Sequence, residues 1–556
     1  MLKNCLVPYA LLALSQGVFA QQAPTAGSQL QQIPPPPAPQ KVPPAIRIEP
    51  LGTAPSAPSS DQLKIMVNSL RVTGTQVFSE AELIAVAGFT PGRELSLADL
   101  RAMALKITER YRKDGYFVAQ AYLPAQDIKD NAVTIAVLEG RYGNIKLRNQ
   151  TNLSDAHANG LLSGLNSGDI IATEPLESRL LLLSDLPGVK VSSTLVPGAS
   201  VGASDLIVNL EPGQRVTGSI DADNAGNRYT GEYRVGATVN LNNPLGLGDV
   251  ASLRVLTSGS GLNYARASYQ LQVGKGRAGV AYSKLNYQLG REFAPLQARG
   301  TADVTSIFGS YPLIRSRNTN LNLGLAYDAK KFQDRVDSTS SVTDKKAQVL
   351  MASIYGDHRD TLGGGGLSTY SSGLSTGNIN IQTPSALAAD AATARSNGRF
   401  NKLGFSASRL QNLGGPFSLY AGINGQVASK NLDVSEKMEL GGMNAVRAYP
   451  EGEAYADQGY LLTLEARMQL PQLTAQIPGQ MQLIGFVDTG SVTINKNPWF
   501  AGQNPRNLSG AGVGLSWFEN NNFLVRTYYA RKLGGETAIS APDKSGRFWI
   551  QAVKYF

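Results

Sequence analysis

Beyond Gln214 the chain alternates apolar and polar residues with a period of two. Tyr233, Val235, Ala237, Val239 and Leu241 interleave with Arg234, Thr238, Asn240 and Asn242. Leu321, Leu323, Leu325 and Tyr327 interleave with Asn320, Asn322 and Asp328, and Tyr460, Leu462, Leu464, Ala466, Met468 and Leu470 with Thr463, Glu465, Arg467 and Gln469. Successive side chains of a strand point to opposite faces, so each run predicts a strand with one apolar and one polar side. Asn242-Asn243-Pro244 and the glycines at 363–366 mark turns between such runs. Strands of this kind, about ten residues long, are what a membrane-spanning β-barrel requires. The apolar side faces lipid, the polar side a wet lumen, and closure leaves no unpaired edge. A soluble β-sandwich or propeller would share the alternation. The uninterrupted β region of about 340 residues, from 213 to 556, favours the barrel.

Between 63 and 212 the period changes. Residues 65–72 read as a strand. Ser79-Glu80-Ala81-Glu82 and Ser96-Leu97-Ala98-Asp99 are capping boxes, in which a hydroxyl and a carboxylate satisfy helix-terminal N–H groups reciprocally. The second opens a longer helix with Leu100, Ala104, Ile107 and Tyr111 on one face, ended by Gly115. Residues 117–123 and 133–138 are further strands. The order β-α-α-β-β then recurs: a strand at 142–147, a helix at 153–162, a helix capped by Thr173 with Pro175 in its first turn and Leu176, Leu180 and Leu183 on it, then strands at 189–196 and 206–210. Two tandem α+β modules, 63–140 and 141–212, follow from this. They are copies of one module or two unrelated domains.

The N-terminus predicts an export signal over 1–20. Lys3 precedes the apolar stretch 6–14, and Val18-Phe19-Ala20 offers a small-residue cleavage pattern before Gln21. The apolar stretch is too short for a spanning helix, which needs about 20 residues. Residues 21–60 hold 11 of the 29 prolines, so 21–62 reads as an extended, mobile linker. Cys5 is the one cysteine and would leave with the signal. Two histidines and no mature thiol remove most zinc, iron–sulfur and Cys-His chemistry, so no metal or cofactor is expected. The net charge of +9 is spread along the chain. It suits anionic lipid headgroups better than nucleic acid, which calls for a concentrated patch.

The β region also carries a series of phrases. Asp223-Asn224-Ala225-Gly226, Thr230-Gly231 and Asn243-Pro244-Leu245-Gly246-Leu247-Gly248-Asp249 open it, then Tyr311-Pro312-Leu313-Ile314-Arg315 and Gly356-Asp357-His358-Arg359-Asp360. Leu440-Gly441-Gly442, Val446-Arg447-Ala448-Tyr449-Pro450-Glu451-Gly452-Glu453, Phe486-Val487-Asp488-Thr489-Gly490 and Tyr529-Ala530-Arg531-Lys532-Leu533-Gly534 follow. With the tandem modules, this resembles the outer-membrane transporters of two-partner secretion, the haemolysin secretion/activation family. The resemblance implies two periplasmic POTRA domains followed by a 16-stranded antiparallel barrel in a Gram-negative outer membrane. It implies export, without ATP, of one large secreted partner with an N-terminal secretion domain: an adhesin, haemolysin or contact-dependent toxin. Outer-membrane lipid or lipopolysaccharide and periplasmic chaperones are the other implied partners. It further implies a loop around 441–459 that folds into the lumen, its tip Arg447 pairing with Asp488 on the wall. Tyr449, Phe486 and Gly490 complete the two patterns. Ala448 stands where the family pattern has Gly, which would be strained if the position needs positive φ. Such transporters often carry an N-terminal plug helix, for which 21–60 is too rich in proline apart from a stub around 28–33. Terminal Phe556 is typical of outer-membrane barrels, although Lys554 departs from the usual ending.

Two other functions share parts of this pattern. An outer-membrane assembly insertase usually has more POTRA copies than the two this chain has room for. A barrel lipase or protease would need a nucleophile and its base. His157 falls in a predicted helix and His358 in a charged run, with no nucleophile placed beside either. Gly510-Ala511-Gly512-Val513-Gly514 lies in an alternating strand and not before a helix, so it predicts no nucleotide site. No catalytic residue is expected.

Overall fold

The structure, a computed structural model, describes residues 23–37, 45–48 (backbone only), 64–472 and 477–556. The expected signal at 1–20, with Cys5, lies outside the described residues. The proline-rich segment contributes α1 (Ala26–Gln31) and β1 (Ala45–Ile48). The first module comprises β2 (Lys64–Val67), β3 (Ser69–Thr73), α2 (Glu80–Ala87), β4 (Arg93–Ser96), α3 (Leu97–Lys113), β5 (Gln120–Tyr122) and β6 (Ala132–Leu138). The second comprises β7 (Arg141–Asn149), α4 (Asp155–Leu162), α5 (Thr173–Ser184), β8 (Val189–Pro197) and β9 (Ala203–Pro212).

The two modules share one sheet topology. In the first, β6 pairs parallel with β3 and antiparallel with β5. In the second, β9 pairs parallel with β7 and antiparallel with β8. The last strand is central in both, flanked by β3 and β5 in the first module and by β7 and β8 in the second. α3 forms as expected. Ser96 and Asp99 close a reciprocal capping box, and Leu100, Ala104, Ile107 and Tyr111 are buried against the sheet. Burying each large apolar side chain contributes about 1.5–3 kcal/mol. The second core is built from α4, α5 and the inner faces of β8 and β9.

Several expectations need correction. The strand at 65–72 breaks at Asn68 into β2 and β3, and β2 pairs with the unpredicted β4. The strand at 117–123 shrinks to β5, because the chain turns through Tyr116–Ala119, where the Ala119 amide donates to the Tyr116 carbonyl. Ser79 caps α2, but Glu82 turns away to Arg110 instead of completing the box. Thr173 is not a cap: its hydroxyl donates to the Gly115 carbonyl at 2.8 Å, which joins the two modules. The proline-rich segment is not wholly a free linker. α1 sits inside the barrel, and β1 pairs parallel with β8, Ala45 opposite Ser192 to Ile48 opposite Leu195.

The barrel closes from sixteen antiparallel strands. The first eight are β10 (Val216–Asp223), β11 (Arg234–Asn242), β12 (Val250–Thr257), β13 (Leu262–Val273), β14 (Gly276–Gln288), β15 (Ala298–Arg315), β16 (Thr319–Val336) and β17 (Ser341–Asp360). Then come β18 (Gly366–Ile381), the short helix α6 (Pro384–Ala392), β19 (Gly398–Gly414) and β20 (Phe417–Ala428). A loop at 429–457 carries the two-residue strands β21 (Met438–Glu439) and β22 (Tyr455–Ala456). β23 (Gln458–Gln469), β24 (Gln480–Thr493), β25 (Pro505–Glu519), β26 (Phe523–Lys532) and β27 (Gly546–Tyr555) finish the wall. Val235, Leu323, Leu325, Tyr460, Leu462 and Leu464 all point outward and are exposed, as the alternation requires. No described helix is long and apolar enough to cross a membrane.

The wall is uneven. β10 to β12 have 8 or 9 residues, whereas β15, β16 and β17 have 18, 18 and 20. The seam between β10 and β27 pairs only from Ser219–Tyr555 to Asp223–Gln551. Phe556 extends it by exchanging backbone hydrogen bonds with Gly218 at 2.9 and 3.1 Å.

The second module is fastened to one rim. Arg315 grips Asp185 through two bonds of 2.7 and 2.9 Å, and Arg317 pairs with Glu177 at 2.6 Å. Asn152 and Asn243 exchange hydrogen bonds, and the Ser154 amide donates to the Gly246 carbonyl. Gly246 has φ +77°, and a Cβ there would lie 2.3 Å from the Asn152 carbonyl oxygen, so only glycine fits this turn.

Candidate functional site

The loop at 429–457 leaves the rim opposite the modules and folds into the lumen. Lysines on the inner wall draw it in. Lys345 pairs with Asp433 at 2.8 Å, and Lys330 and Lys402 hold Glu436 at 2.7 and 2.9 Å. The β21–β22 pairing gathers its two ends, and Gly442 and Gly452, with φ +110° and +75°, make its sharp turns. Leu440, Val446, Ala448 and Tyr449 are buried against Leu461, Phe486, Leu508, Tyr528 and Trp549 of the wall.

Arg447 lies at the tip of this loop. Its Nε and Nη2 donate to the two carboxylate oxygens of Asp488 at 2.8 Å each, and its backbone N–H donates to Oδ2 at 3.1 Å. Nη1 donates to Glu465 at 2.8 Å, and Glu465 is also held by Arg467 at 2.6 and 2.8 Å. The guanidinium lies 3.4 Å from the Phe486 ring centroid and 4.9 Å from that of Tyr528. Two guanidinium groups thus face two carboxylates in a water-poor site. Asp488 is fully buried, so these charge-assisted bonds act under weak screening. Trp549 donates from its indole N–H to the Arg447 carbonyl at 2.7 Å and fixes the backbone as well.

The five residues singled out in the sequence thus fall into two sets. Arg447, Asp488 and Phe486 meet directly. Tyr449 and Gly490 hold the same loop elsewhere. Tyr449 is fully buried and its hydroxyl donates to the Glu536 carbonyl at 3.1 Å. A Cβ on Gly490 would lie 2.4 Å from Leu440 Cδ1, so the bare backbone gives the loop its room. Ala448 does not have positive φ, which removes the expected strain. The missing side chain is across from it, at Gly510, where a Cβ would come within 2.5 Å of the Ala448 methyl. Glu465, Trp549 and Gly510 were not singled out from the sequence, because nothing in linear spacing links β23, β25 and β27 to the loop tip.

The short helix α1 fills the lumen beside the loop. Thr25 and Ser28 form its capping box. The Ala26 amide donates to Asp334 at 2.7 Å, Thr230 donates to the Gln29 side chain at 2.6 Å, and Arg234 donates to the Gln32 carbonyl at 2.9 Å. Gln32 in turn donates to Tyr455 at 2.6 Å and to Glu439 at 3.4 Å, so helix and loop are joined. Glu439 and Glu451 form an acidic pair here. Burial, then the charge of Glu451, push the Glu439 carboxyl well above its usual range. Burial pushes Glu451 up to about 7, against the pull of Arg234 and of the Met443 amide. A raised carboxyl keeps, in the docked loop, a proton that a free loop would release. The contribution of Glu451 to docking is therefore fully present below about pH 4.5 and is lost as pH rises through about 7. Protease cleavage within 438–456 is expected to accelerate several-fold across that window, and Glu451→Gln to flatten the dependence. A profile unchanged by the substitution would assign the pH response to another group.

His157 lies in α4, and His358 is at the module-side end of β17 with Nδ1 2.9 Å from the Thr319 hydroxyl. Among the described residues no group of His, Cys, Asp and Glu is arranged to hold a metal.

With this geometry established, comparison with known proteins places the chain. The profile of the family described as haemolysin secretion/activation protein ShlB/FhaC/HecB matches residues 202–517, and that of the POTRA domain, ShlB-type, matches 65–140. The chain is 32% identical to the heme/hemopexin transporter protein HuxB of Haemophilus influenzae, over 84% of this chain and 82% of that protein. It is 23% identical to the outer membrane transporter CdiB of Dickeya dadantii, over 77% and 76% of the two chains. The solved structure of CdiB from Escherichia coli superposes with a TM-score of 0.68 at 21% identity, covering 91% of this chain and 93% of that one, which shows a common fold. The family consists of transporters, which favours translocation over the insertase and barrel-enzyme alternatives. This chain belongs to the haemolysin secretion/activation family, as a two-partner secretion transporter with its barrel in the outer membrane and its POTRA modules in the periplasm.

Proposed function

We propose that this chain exports one large secreted partner, captured at the POTRA modules and passed through the barrel without nucleotide hydrolysis. One observation carries the reading: two segments of the chain itself, α1 and the loop at 429–457, occupy the lumen, held by hydrogen bonds and ion pairs to the wall and by apolar packing against it. Arg447 and Asp488 act as the lock that fixes the loop in register for transport, with Phe486, Tyr449 and Gly490 shaping its seat. The partner's N-terminal secretion domain adds as a strand to a POTRA sheet edge, an interaction that gains backbone hydrogen bonds with little sequence demand. That edge accepts extended chain, since β1 already lies along β8. Folding of the partner outside supplies the free energy. The higher identity to a heme/hemopexin transporter protein than to CdiB favours a partner that handles haem or haemopexin over a contact-dependent toxin.

The test uses the purified full chain in liposomes, POTRA modules outward, with the unfolded N-terminal secretion domain of a large exoprotein from the same organism. Protease-protected uptake is expected with no nucleotide present. Uptake that requires ATP, or none under any condition while the pore is folded, would overturn the reading.

A further inference from the structure

The outer wall carries a cationic row whose position its transport role does not explain. On β16 the outward residues run Leu321, Leu323, Leu325, Tyr327, Ala329 and then Lys331. On β14 they run Ala278, Val280, Tyr282 and then Lys284, and on β17 Ile354, Ala352, Leu350, Gln348 and then Lys346. On β19, Ala407, Phe405, Leu403 and Asn401 lead to Arg399. In each case the first charge beyond the lipid-facing stretch, toward the cell surface, is a cation. By contrast, β20, β23 and β24 reach their surface ends with no outward charge: Val427, Tyr460 and Gln458, and Thr489, Ser491 and Thr493.

Register sets these residues side by side around the wall, the cations interrupted by Asp303 on β15 and by Asn380 on β18. Lys284 is opposite Asp303, Asp303 opposite Lys331, Lys331 opposite Lys346, and Lys346 opposite Asn380. Arg399 sits opposite Asn378, two residues below on the same face. Like charges directly opposite in a sheet repel, so the Lys331–Lys346 pair is unfavourable by itself. Neither lysine makes an ion pair among the described residues, and both are exposed. Asp303 keeps its charge while accepting the Tyr282 hydroxyl at 2.7 Å, so it offsets one cation beside Lys284 and Lys331, whereas Lys346 faces only Lys331 and Asn380 across its strand and has no carboxylate opposite it. Neighbouring strands are about 4.8 Å apart, so Lys284 to Lys346 spans about 14 Å of wall. Gln348, Asn378, Asn380 and Asn401 surround the cations with exposed amides.

We propose that this arc of β14 to β19 binds a phosphorylated acyl-disaccharide lipid of the outer leaflet. Acyl chains lie on Leu325, Tyr327, Leu350 and Leu403, phosphate meets Lys331 and Lys346 with Lys284 and Arg399 at the flanks, and the amides hydrogen-bond sugar hydroxyls. Charge complementarity selects this occupant: the cations begin where the apolar face stops, at the depth of a headgroup. Neutral phospholipid would leave the lysines opposed, and a soluble anion would leave the apolar face beneath them unused.

The experiment titrates the purified full chain in neutral detergent with bis-phosphorylated lipid A, read by native mass spectrometry and by the temperature of barrel unfolding on gels. Wild type is expected to retain lipid A and unfold at higher temperature with it. The double variant Lys331→Gln, Lys346→Gln is expected to bind about tenfold more weakly, equivalent to about 1.4 kcal/mol. In detergent alone it should unfold no earlier than wild type, since a repulsion has been removed. Lys554→Gln, an outward basic residue near the opposite rim, should leave binding unchanged. Inorganic phosphate in large excess should not displace the lipid, and dephosphorylated lipid A should bind as poorly as phosphatidylethanolamine. Equal retention by the double variant, equal binding of the dephosphorylated lipid, or displacement by inorganic phosphate would each overturn the proposal.

Discussion

Arg447→Ala is expected to leave the barrel inserted while lowering the exported partner by about tenfold or more, as truncating one member of a buried charge pair typically costs about 3–5 kcal/mol. The arginine answers two carboxylates at once. Without it Asp488, fully buried, keeps only the Thr463 hydroxyl at 3.1 Å among its side-chain partners, and Glu465 keeps only Arg467. The loop tip also loses its stack on Phe486. Arg447→Lys should rescue little, because an ammonium cannot make the forked contact or lie flat on the ring. Exchanging the charges, Arg447→Asp with Asp488→Arg, is expected to fail as well. The new aspartate would face Glu465, so the site would hold two adjacent carboxylates at the tip. The measurement is partner in the medium relative to heat-modifiable barrel in the outer membrane. Undiminished export by Arg447→Ala at equal barrel level would show that the lock is dispensable.

Deletion of residues 64–211 is expected to abolish export and still yield an inserted pore. The barrel closes through its own sixteen strands, and its seam involves β10, β27 and Phe556, all outside the deletion. What disappears is every sheet edge offered to an extended client on the periplasmic side, together with the Asp185–Arg315 and Glu177–Arg317 clamps that aim the second module at the pore. The pore should retain strand-dominated circular dichroism and conduct ions, with no partner in the medium. Secretion at the level of the intact chain would remove the modules from the mechanism.

The barrel was legible in the sequence because its physics is local: lipid on one side and water on the other force a period of two on every strand. The same holds for α3, whose capping box and apolar face are complete within one helix. α1 shows in the sequence only as a stub around 28–33, for the opposite reason. Six residues are too few to hold a helix by their own hydrogen bonds, and this one is fixed by Asp334, Thr230 and Arg234 of the wall. β1 is four residues whose conformation is imposed by the edge of β8. In the site, Arg447 and Asp488 could be paired through a family resemblance. Glu465, Trp549 and Gly510 could not, since only closure of the barrel brings β23, β25 and β27 to one point. Ala448 is tolerated through the glycine at 510, a compensation visible only across the lumen.

The placement of α1 and β1 on one short stretch of chain has a mechanical consequence. Residues 37 and 45 are eight steps apart, so the connection between the plug and the strand on β8 reaches at most about 29 Å. α1 contacts Asp334 and Arg234, residues at the cell-surface ends of β16 and β11, while β1 lies on the periplasmic module. The connection is therefore a leash with a direction. Retreat of the plug toward the periplasm slackens it and leaves β1 in place. Escape toward the cell surface beyond the leash's reach has to peel β1 from β8, one backbone hydrogen bond after another, so a plug expelled past that reach and an edge still covered cannot coexist.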